Sequence, residues 1–280
     1  MPDVIDKIEG CLFQHGKSSN RIYLMKLGDS YIPEVIARLD EMAMVNGYTK
    51  IIAKVPRWAS SEFEANGYKS EASVPGFYNG SIDVSFMGKY FSTVRECEKD
   101  ADIILDVLSN ACQHRLKGCR EKLPEGFEWR IAQESDAHSI SNIYRQVFVS
   151  YPFPIHDEQY IRETMKDNII YFCVFRGGEL VSAASSEMDF DAQSVEMTDF
   201  ATLPDYRGHG FAGFLLSKME DEMCARSIKT AYTIARSVSP GMNITFAKMN
   251  YEYAGTLINN TDICGSTESM NVWYKHLCGF

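Results

Sequence analysis

The run richest in chemistry is Phe200-Ala201-Thr202-Leu203-Pro204-Asp205-Tyr206-Arg207-Gly208-His209-Gly210-Phe211-Ala212-Gly213. It begins as the end of a strand, turns on glycines, and continues into a segment where Phe214, Leu215, Met219 and Met223 recur at helical spacing. A helix that starts directly after a glycine turn offers unpaired amide N–H groups with the macrodipole behind them, which is a site for an anion such as a phosphate. Gly210 lets such a group approach the backbone, small Ala212 keeps the approach open, and Arg207 adds positive charge beside it. The same residues also spell G-x-G-x-x-G (Gly208, Gly210, Gly213), the dinucleotide fingerprint, so an NADP-dependent oxidoreductase is one alternative. Three features oppose it. Pro204 to Arg207 separate the strand from the first glycine, the chain after Gly213 is too short for the rest of a parallel dinucleotide sheet, and the next strand closes on Ala235-Arg236 rather than on an acid. A glycine turn that only caps its helix is the other alternative.

The elements that must position this run alternate along the second half of the chain. Strands are expected over 127–131, 169–175, 180–188, 195–203 and 230–236, and around 253–258 and 270–276. Helices are expected from Ser135-Asp136 (with Ile140, Ile143, Tyr144 and Val147 inward), from Asp157, over 211–226 and over 241–249. Arg176-Gly177-Gly178-Glu179 marks a hairpin, and Tyr151-Pro152-Phe153-Pro154 a loop. This order is that of a mixed-sheet α/β (α+β) domain, not a doubly wound parallel sheet. A charged segment with Gly and Pro, Lys117 to Gly126, separates it from a helix expected over 92–117 and sets a boundary near residue 120. The first half partly repeats the second. Thr49-Lys50-Ile51-Ile52-Ala53-Lys54 resembles the strand at 230–235, Phe63-Glu64-Ala65-Asn66-Gly67-Tyr68 lines up with Phe246 to Tyr251, and Pro33 suits the first turn of a helix over 33–44.

Composition narrows the partners. The chain has 280 residues, 45% hydrophobic and 24% charged, enough for two domains that need no disulfide or metal to stay folded. A net charge of −10 argues against nucleic acid as a partner and suits a cationic substrate. No stretch reaches the length of a membrane span, and the N-terminus Met1-Pro2-Asp3-Val4-Ile5-Asp6 lacks the basic flank and apolar stretch of a signal peptide, so a cytoplasmic protein is expected. Eight scattered cysteines, Cys278 among them, form no C-x-x-C pair; Cys112, His114 and Cys119 lack a second ligand pair, and no metal is expected. Gly16-Lys17-Ser18 has Cys11 where a P-loop needs its first glycine, and neither G-x-S-x-G nor H-E-x-x-H occurs.

Arg207-Gly208-His209-Gly210-Phe211-Ala212 also fits Q/R-x-x-G-x-G/A. This pattern, its place after the fourth strand and the element order over about 127–276 resemble the GNAT family of acetyltransferases. The resemblance implies a GNAT fold with a catalytic domain over 121–280 and a degenerate GNAT-like domain over 1–120. It implies acetyl-CoA as co-substrate, its pyrophosphate on the amides of Arg207, Gly208, His209, Gly210, Phe211 and Ala212. The pantetheine arm would lie along the strand that carries Phe200, Ala201 and Thr202, with an amide near Ala201 or Thr202 holding the developing oxyanion. Asn243 would stand at the family's CoA-side asparagine or cap its helix. In some family members a glutamate near the spacing of Glu196 from Arg207 is the general base, which makes Glu196 the first candidate and Asp199 the second. Phe246 falls where the family often has a tyrosine that protonates the departing thiolate; Tyr251 or Tyr253 would be the substitutes.

The whole two-part chain, with Tyr151-Pro152-Phe153-Pro154, is similar within that family to enzymes of methanogenic archaea and some anaerobic bacteria that acetylate the N6 amine of β-lysine to make a compatible solute. That resemblance implies a small-molecule amine substrate. Tyr151 and Phe153 would line its pocket, Glu187, Asp189 and Glu196 would read its amines, and Arg145 or Arg236 its carboxylate. A non-catalytic acyl-CoA-binding sensor is the alternative within the same fold. The chain is compatible with a homodimer.

Overall fold

The computed structural model describes residues 3–8, 10–28 and 31–277; Met1, Pro2 and Cys278 lie outside them. Strands Val4–Ile8 (β1), Cys11–Gly16 (β2) and Arg21–Lys26 (β3) lead to helix Ile32–Asn46 (α1), strand Lys50–Pro56 (β4) and helix Ser60–Ala65 (α2). The hairpin Lys69–Tyr78 (β5) and Ile82–Tyr90 (β6) closes the first half, and helices Thr93–Glu96 (α3) and Ala101–Gln113 (α4) cross to the second. There follow Phe127–Ile131 (β7), Ala137–Val147 (α5), Glu158–Lys166 (α6), Ile169–Arg176 (β8), Glu179–Asp189 (β9), Ser194–Thr202 (β10), Phe211–Ala225 (α7), Thr230–Arg236 (β11), Pro240–Lys248 (α8), Glu252–Ile263 (β12) and Ser266–His276 (β13).

Among the described residues thirteen strands form one mixed sheet in the order β1-β2-β3-β4-β6-β5-β12-β13-β11-β10-β9-β8-β7. Within that order β1-β2-β3-α1-β4-α2-β5-β6 has the connectivity of β8-β9-β10-α7-β11-α8-β12-β13, with β3/β4 and β10/β11 as the parallel pairs. The likeness reaches side chains. Phe63 and Tyr68 pack edge to face at 5.0 Å, and so do Phe246 and Tyr251 at 5.0 Å. Lys89 lies over the Tyr68 ring and pairs with Asp40 of α1 at 2.6 Å, while Lys275 lies over Tyr251 and pairs with Glu220 of α7 at 2.7 Å.

The two halves are joined edge to edge. Gly255 of β12 pairs with Ala72 of β5, and beside this seam the buried Lys50 ammonium is held by the Glu71 carboxylate at 2.8 Å and the Ile258 carbonyl at 2.7 Å. Helix α4 belongs to the packing of the second half: Ala111 is buried in the core built by Phe172, Phe214 and Met219, and the Gly118 amide donates to the Lys248 carbonyl at 3.1 Å. The helix expected over 92–117 is broken between α3 and α4, where Cys97 turns extended (ψ 114°). Tertiary bonds hold the break, since Asn259 Nδ2 donates to the Arg95 and Cys97 carbonyls at 2.9 Å and Ser269 Oγ donates to Glu98. Gly177 and Gly178 both take positive φ (57° and 85°) in the hairpin between β8 and β9, the conformation that suits the right-handed twist of the flanking strands.

Candidate active site

The site is built around an irregular strand. β10 pairs with β11 only at Ser194 to Glu196, and beyond Glu196 the two part. On its other edge β10 slips register against β9 between Thr198 and Ala201, with Asp199 at φ 54°. Such a bulge bends the strand and re-aims its side chains, and a short acid is one of the few non-glycine residues that tolerate this φ. The Leu203 amide donates to Val181 on β9 at 3.0 Å, so strand alternation turns the Thr202 amide to the opposite, splayed edge.

A cleft opens where β10 leaves β11, walled by both halves of the chain. Its acidic wall comes from the second half. Glu196 and Glu187 are direct cross-strand partners, and Asp199 lies beside them. Burial and the neighbouring Glu187 carboxylate push Glu196 up to about 8, against the opposing pull of Lys54 and a hydrogen bond from Tyr232. Burial raises Glu187 as well, again opposed by Lys54. Asp199 is buried and raised by desolvation, although Ser185 Oγ (2.6 Å) and Tyr151 Oη (2.5 Å) donate to its carboxylate and favour the charged form. The facing wall comes from the first half and is cationic: Arg21 on β3 and Lys54 on β4, with the Arg21 guanidinium over the Tyr23 ring at 5.3 Å. Lys54 Nζ donates to Tyr232 Oη at 3.3 Å, and burial lowers its pKa.

Two further hollows extend this cleft toward α7. Tyr151, Thr198, Asp199 and Ile234 are shared with a groove floored by Phe200, Met242 and Phe246, which follows the splay of β10 from β11. At the N-terminus of α7 a polar hollow is lined by Gly208, His209, Gly210 and Gly213 on one side and by Cys119, Arg120 and Lys248 on the other. Gly210 is the N-cap at φ 80° and Gly208 stands at φ 83°, so glycine is required there by backbone conformation. The first-turn amides of α7, with Arg120 and Lys248 beside them, suit a pyrophosphate. The groove suits a pantetheine arm, because the splayed edge of β10 lacks a neighbouring strand.

The profile of the acetyltransferase (GNAT) family matches residues 137–242. The β-lysine N6-acetyltransferase of Methanococcus maripaludis is 42% identical over 271 residues, covering 97% of this chain and 98% of its own. That of Methanosarcina mazei is 34% identical over 87% of this chain and 97% of its own, and the N-acetyltransferase YodP of Bacillus subtilis is 31% identical over 88% and 87%. The chain belongs to the GNAT family of acetyltransferases. It is an N-acetyltransferase of the mixed α/β GNAT fold, of a family that uses acetyl-CoA as donor, and the oxidoreductase and sensor alternatives are set aside.

In this GNAT enzyme Glu196, Asp199, Tyr151, Phe153 and Glu187 all line the same cleft. Phe200 lines the groove, packed edge-on to Phe246 at 5.7 Å. Ala201 is buried and paired to β9, and Thr202 Oγ1 hydrogen-bonds Ser182 Oγ at 2.8 Å. Arg207 is exposed, its Nε reaching the Thr202 carbonyl at 3.4 Å, and the Phe211 side chain is core, leaving only its amide toward the hollow. His209 does not simply face solvent as its loop position suggests, but stacks on Phe211 at 5.4 Å. Asn243 is a correction. It is fully buried; its Nδ2 donates to the Arg236 and Ser239 carbonyls and its Oδ1 accepts from Asn271 and Trp273, so nothing is left for CoA. Arg236 is paired to Glu268 at 2.6 Å, and Arg145 lies outside the cleft, bonded to Asn142 and His156. Tyr251 is buried beneath Lys275 and Tyr253 bonds Thr256, both away from the cleft and groove. Sequence reasoning missed Arg21, Tyr23, Lys54 and Tyr232 in the cleft and Arg120 and Lys248 in the hollow. The run Ser182-Ala183-Ala184-Ser185-Ser186, polar yet central to its strand, was the available sign that β9 lines a site.

Proposed function

We propose that the enzyme transfers an acetyl group from acetyl-CoA to the N6 amine of β-lysine. The observation that carries this reading is the cleft with opposed charges: an acidic wall of Glu187, Glu196 and Asp199 faces Arg21 and Lys54, which suits a small acceptor with both ammonium and carboxylate groups. Near full-length identity of 42% to a β-lysine N6-acetyltransferase supports it independently. In this reading acetyl-CoA lies with its pyrophosphate on the amides from Arg207 to Ala212, aided by Arg120 and Lys248, and its pantetheine arm along Phe200 to Thr202. It supplies a thioester whose carbonyl the amine attacks and from which a thiolate leaves. Glu196 takes the proton from the distal ammonium, so that the nitrogen lone pair is free. The Thr202 amide, on the splayed edge, is placed to donate to negative charge developing on the carbonyl oxygen. With Phe246 in place of a tyrosine the thiolate departs unprotonated, tolerable for a thiol of pKa about 8.5. Asp199, bonded to Tyr151 and Ser185, fixes the aromatic side chain shared by cleft and groove.

Residues 121–280, with α4 and the segment to Arg120 packed against them, would form the catalytic domain, and the elements before α4 a GNAT-like copy without a donor site of its own, whose work is to close the acceptor cleft. Acetylation removes one of β-lysine's two positive charges and leaves a zwitterion of no net charge, the property of a compatible solute. The seven described cysteines form no disulfide with one another, which fits a reducing cytoplasm. Incubation of the purified enzyme with acetyl-CoA and L-β-lysine, L-lysine, spermidine or glucosamine, read by release of free thiol, tests the reading. Fast release with β-lysine alone supports it, and faster release with another amine sinks the substrate while leaving the chemistry.

A further inference from the structure

The acceptor cleft holds a buried cation with no acid at ion-pair distance among the described residues, although the Asp3 and Glu196 carboxylates favour its charged form from further away. Arg21 is 3% exposed, 239 residues distant in sequence from the β12 segment it touches. Its Nη1 donates to the Asn260 carbonyl at 2.9 Å and to Thr261 Oγ1 at 2.8 Å, and its Nη2 reaches Gln14 Oε1 at 3.4 Å. Its Nε has no partner, and among the described residues Arg21 forms no ion pair. A guanidinium withdrawn from water without a counterion is costly unless a ligand supplies one. Beside it Asn260 of β12, from the second half, is also buried, and its Oδ1 likewise lacks a partner. An unpaired donor on a fixed cation next to an unpaired acceptor is complementary to a carboxylate with a neighbouring ammonium. Arg21 and Asn260 are also tied to each other, so the pair is held in place before anything binds.

We infer that Arg21 is the specificity-determining residue of the acceptor site: it receives the carboxylate of the amine substrate, with Asn260 accepting from the adjacent ammonium, while the distal amine lies at Glu196. The inference rests on the β-lysine reading and adds to it a task for the first half of the chain. That half supplies the residue that recognises the acceptor's carboxylate, and an amine without a carboxylate leaves this buried charge unpaired.

The test compares β-lysine with 1,4-diaminopentane, which is β-lysine lacking its carboxyl group, on wild type, Arg21→Gln and Arg21→Lys. Wild-type kcat/KM is expected to fall about 100-fold when the carboxyl group is removed, the usual scale for losing one partner of a buried charge pair. Arg21→Gln is expected to lose about 100-fold with β-lysine, chiefly in KM, and under about 3-fold with the diamine; Arg21→Lys, which keeps the charge but not the fork, is expected in between. Acetyl-CoA affinity measured by calorimetry on each variant reports whether the donor site is intact. Equal losses by Arg21→Gln on both amines, or a wild type indifferent to the carboxyl group, would overturn the inference. Failure of the substrate reading looks different: wild type would then turn over another amine faster than β-lysine. The same comparison on that amine and its decarboxylated form decides the role of Arg21, and a preferred acceptor with no carboxylate overturns it.

Discussion

Glu196 stands under two opposed demands. A general base for an ammonium must accept a proton near working pH, and a carboxylate between Glu187 and a buried wall resists losing its own. With its pKa raised to about 8 by burial and Glu187, Glu196 is mostly protonated in free enzyme at pH 7, and an arriving ammonium pulls it down by opposite charge. Wild-type kcat/KM is therefore expected to rise with pH through about 8, and Glu196→Gln to lower kcat by about 10²- to 10⁴-fold with acetyl-CoA affinity kept. A pH profile of the variant that keeps the same limb would remove Glu196 from the role of base. The same shift also predicts stability. A carboxyl raised from its ordinary 4.5 to about 8 binds its proton more tightly folded than unfolded, so its contribution is full below 4.5 and is lost as pH rises through about 8. Glu196→Gln mimics the protonated form and is expected to melt above wild type at pH 9, with the difference gone at pH 4.5. Thermal scans at the two pH values check this, and a variant that gains nothing at pH 9 contradicts the buried charge.

At the scale of elements, the strand-turn-helix run from Phe200 to Gly213 was readable because glycine spacing and a helical apolar period are local properties. The bulge at Asp199 was not, because its φ of 54° is set by where β9 and β11 lie rather than by neighbours in sequence. Asn243 was misread for a related reason: an asparagine at a helix start resembles a ligand group until Asn271 and Trp273 arrive from β13 to occupy it. The third glycine of the run has a role that spacing does not show. A Cβ on Gly213 would fall 2.3 Å from Cys119 Sγ, so the segment carrying Arg120 packs directly against the first turn of α7. Gly213→Ala is expected to push that segment outward and weaken acetyl-CoA binding about 10-fold, the loss of roughly one charged hydrogen bond. Adding Cys119→Gly, which makes the room, should restore most of the affinity. Calorimetric titration of both variants decides, and a double variant as weak as the single one sinks the packing account.

For the whole molecule, the decisive contacts are those no local pattern could announce. The repeat was glimpsed through one strand and one helix, Thr49 to Lys54 and Phe63 to Tyr68, because both copies keep a buried aromatic pair there. Strands β1, β2, β3, β5 and β6 escaped notice, their short alternations being ambiguous without the sheet they join. That sheet makes the two halves one object. At the seam Gly255 of β12 stands at φ 144°, and a Cβ there would lie 2.1 Å from the Glu71 carbonyl, so β5 and β12 meet only if this residue is glycine. Gly255→Val must open the seam and disturb the Lys50–Glu71 pair beside it, a cost of about 3 kcal/mol or more by the usual scale for strain combined with a broken buried pair. A lower melting midpoint alone would follow from any core defect. The seam also holds Arg21 and Lys54 opposite Glu187 and Glu196, whereas the anion hollow lies between the segment Gly118 to Arg120, the N-terminus of α7 and α8. Gly255→Val is therefore expected to raise KM for the amine severalfold at temperatures where it remains folded, with acetyl-CoA affinity nearly unchanged. Equal weakening of both substrates would mean that the halves do not divide donor and acceptor between them.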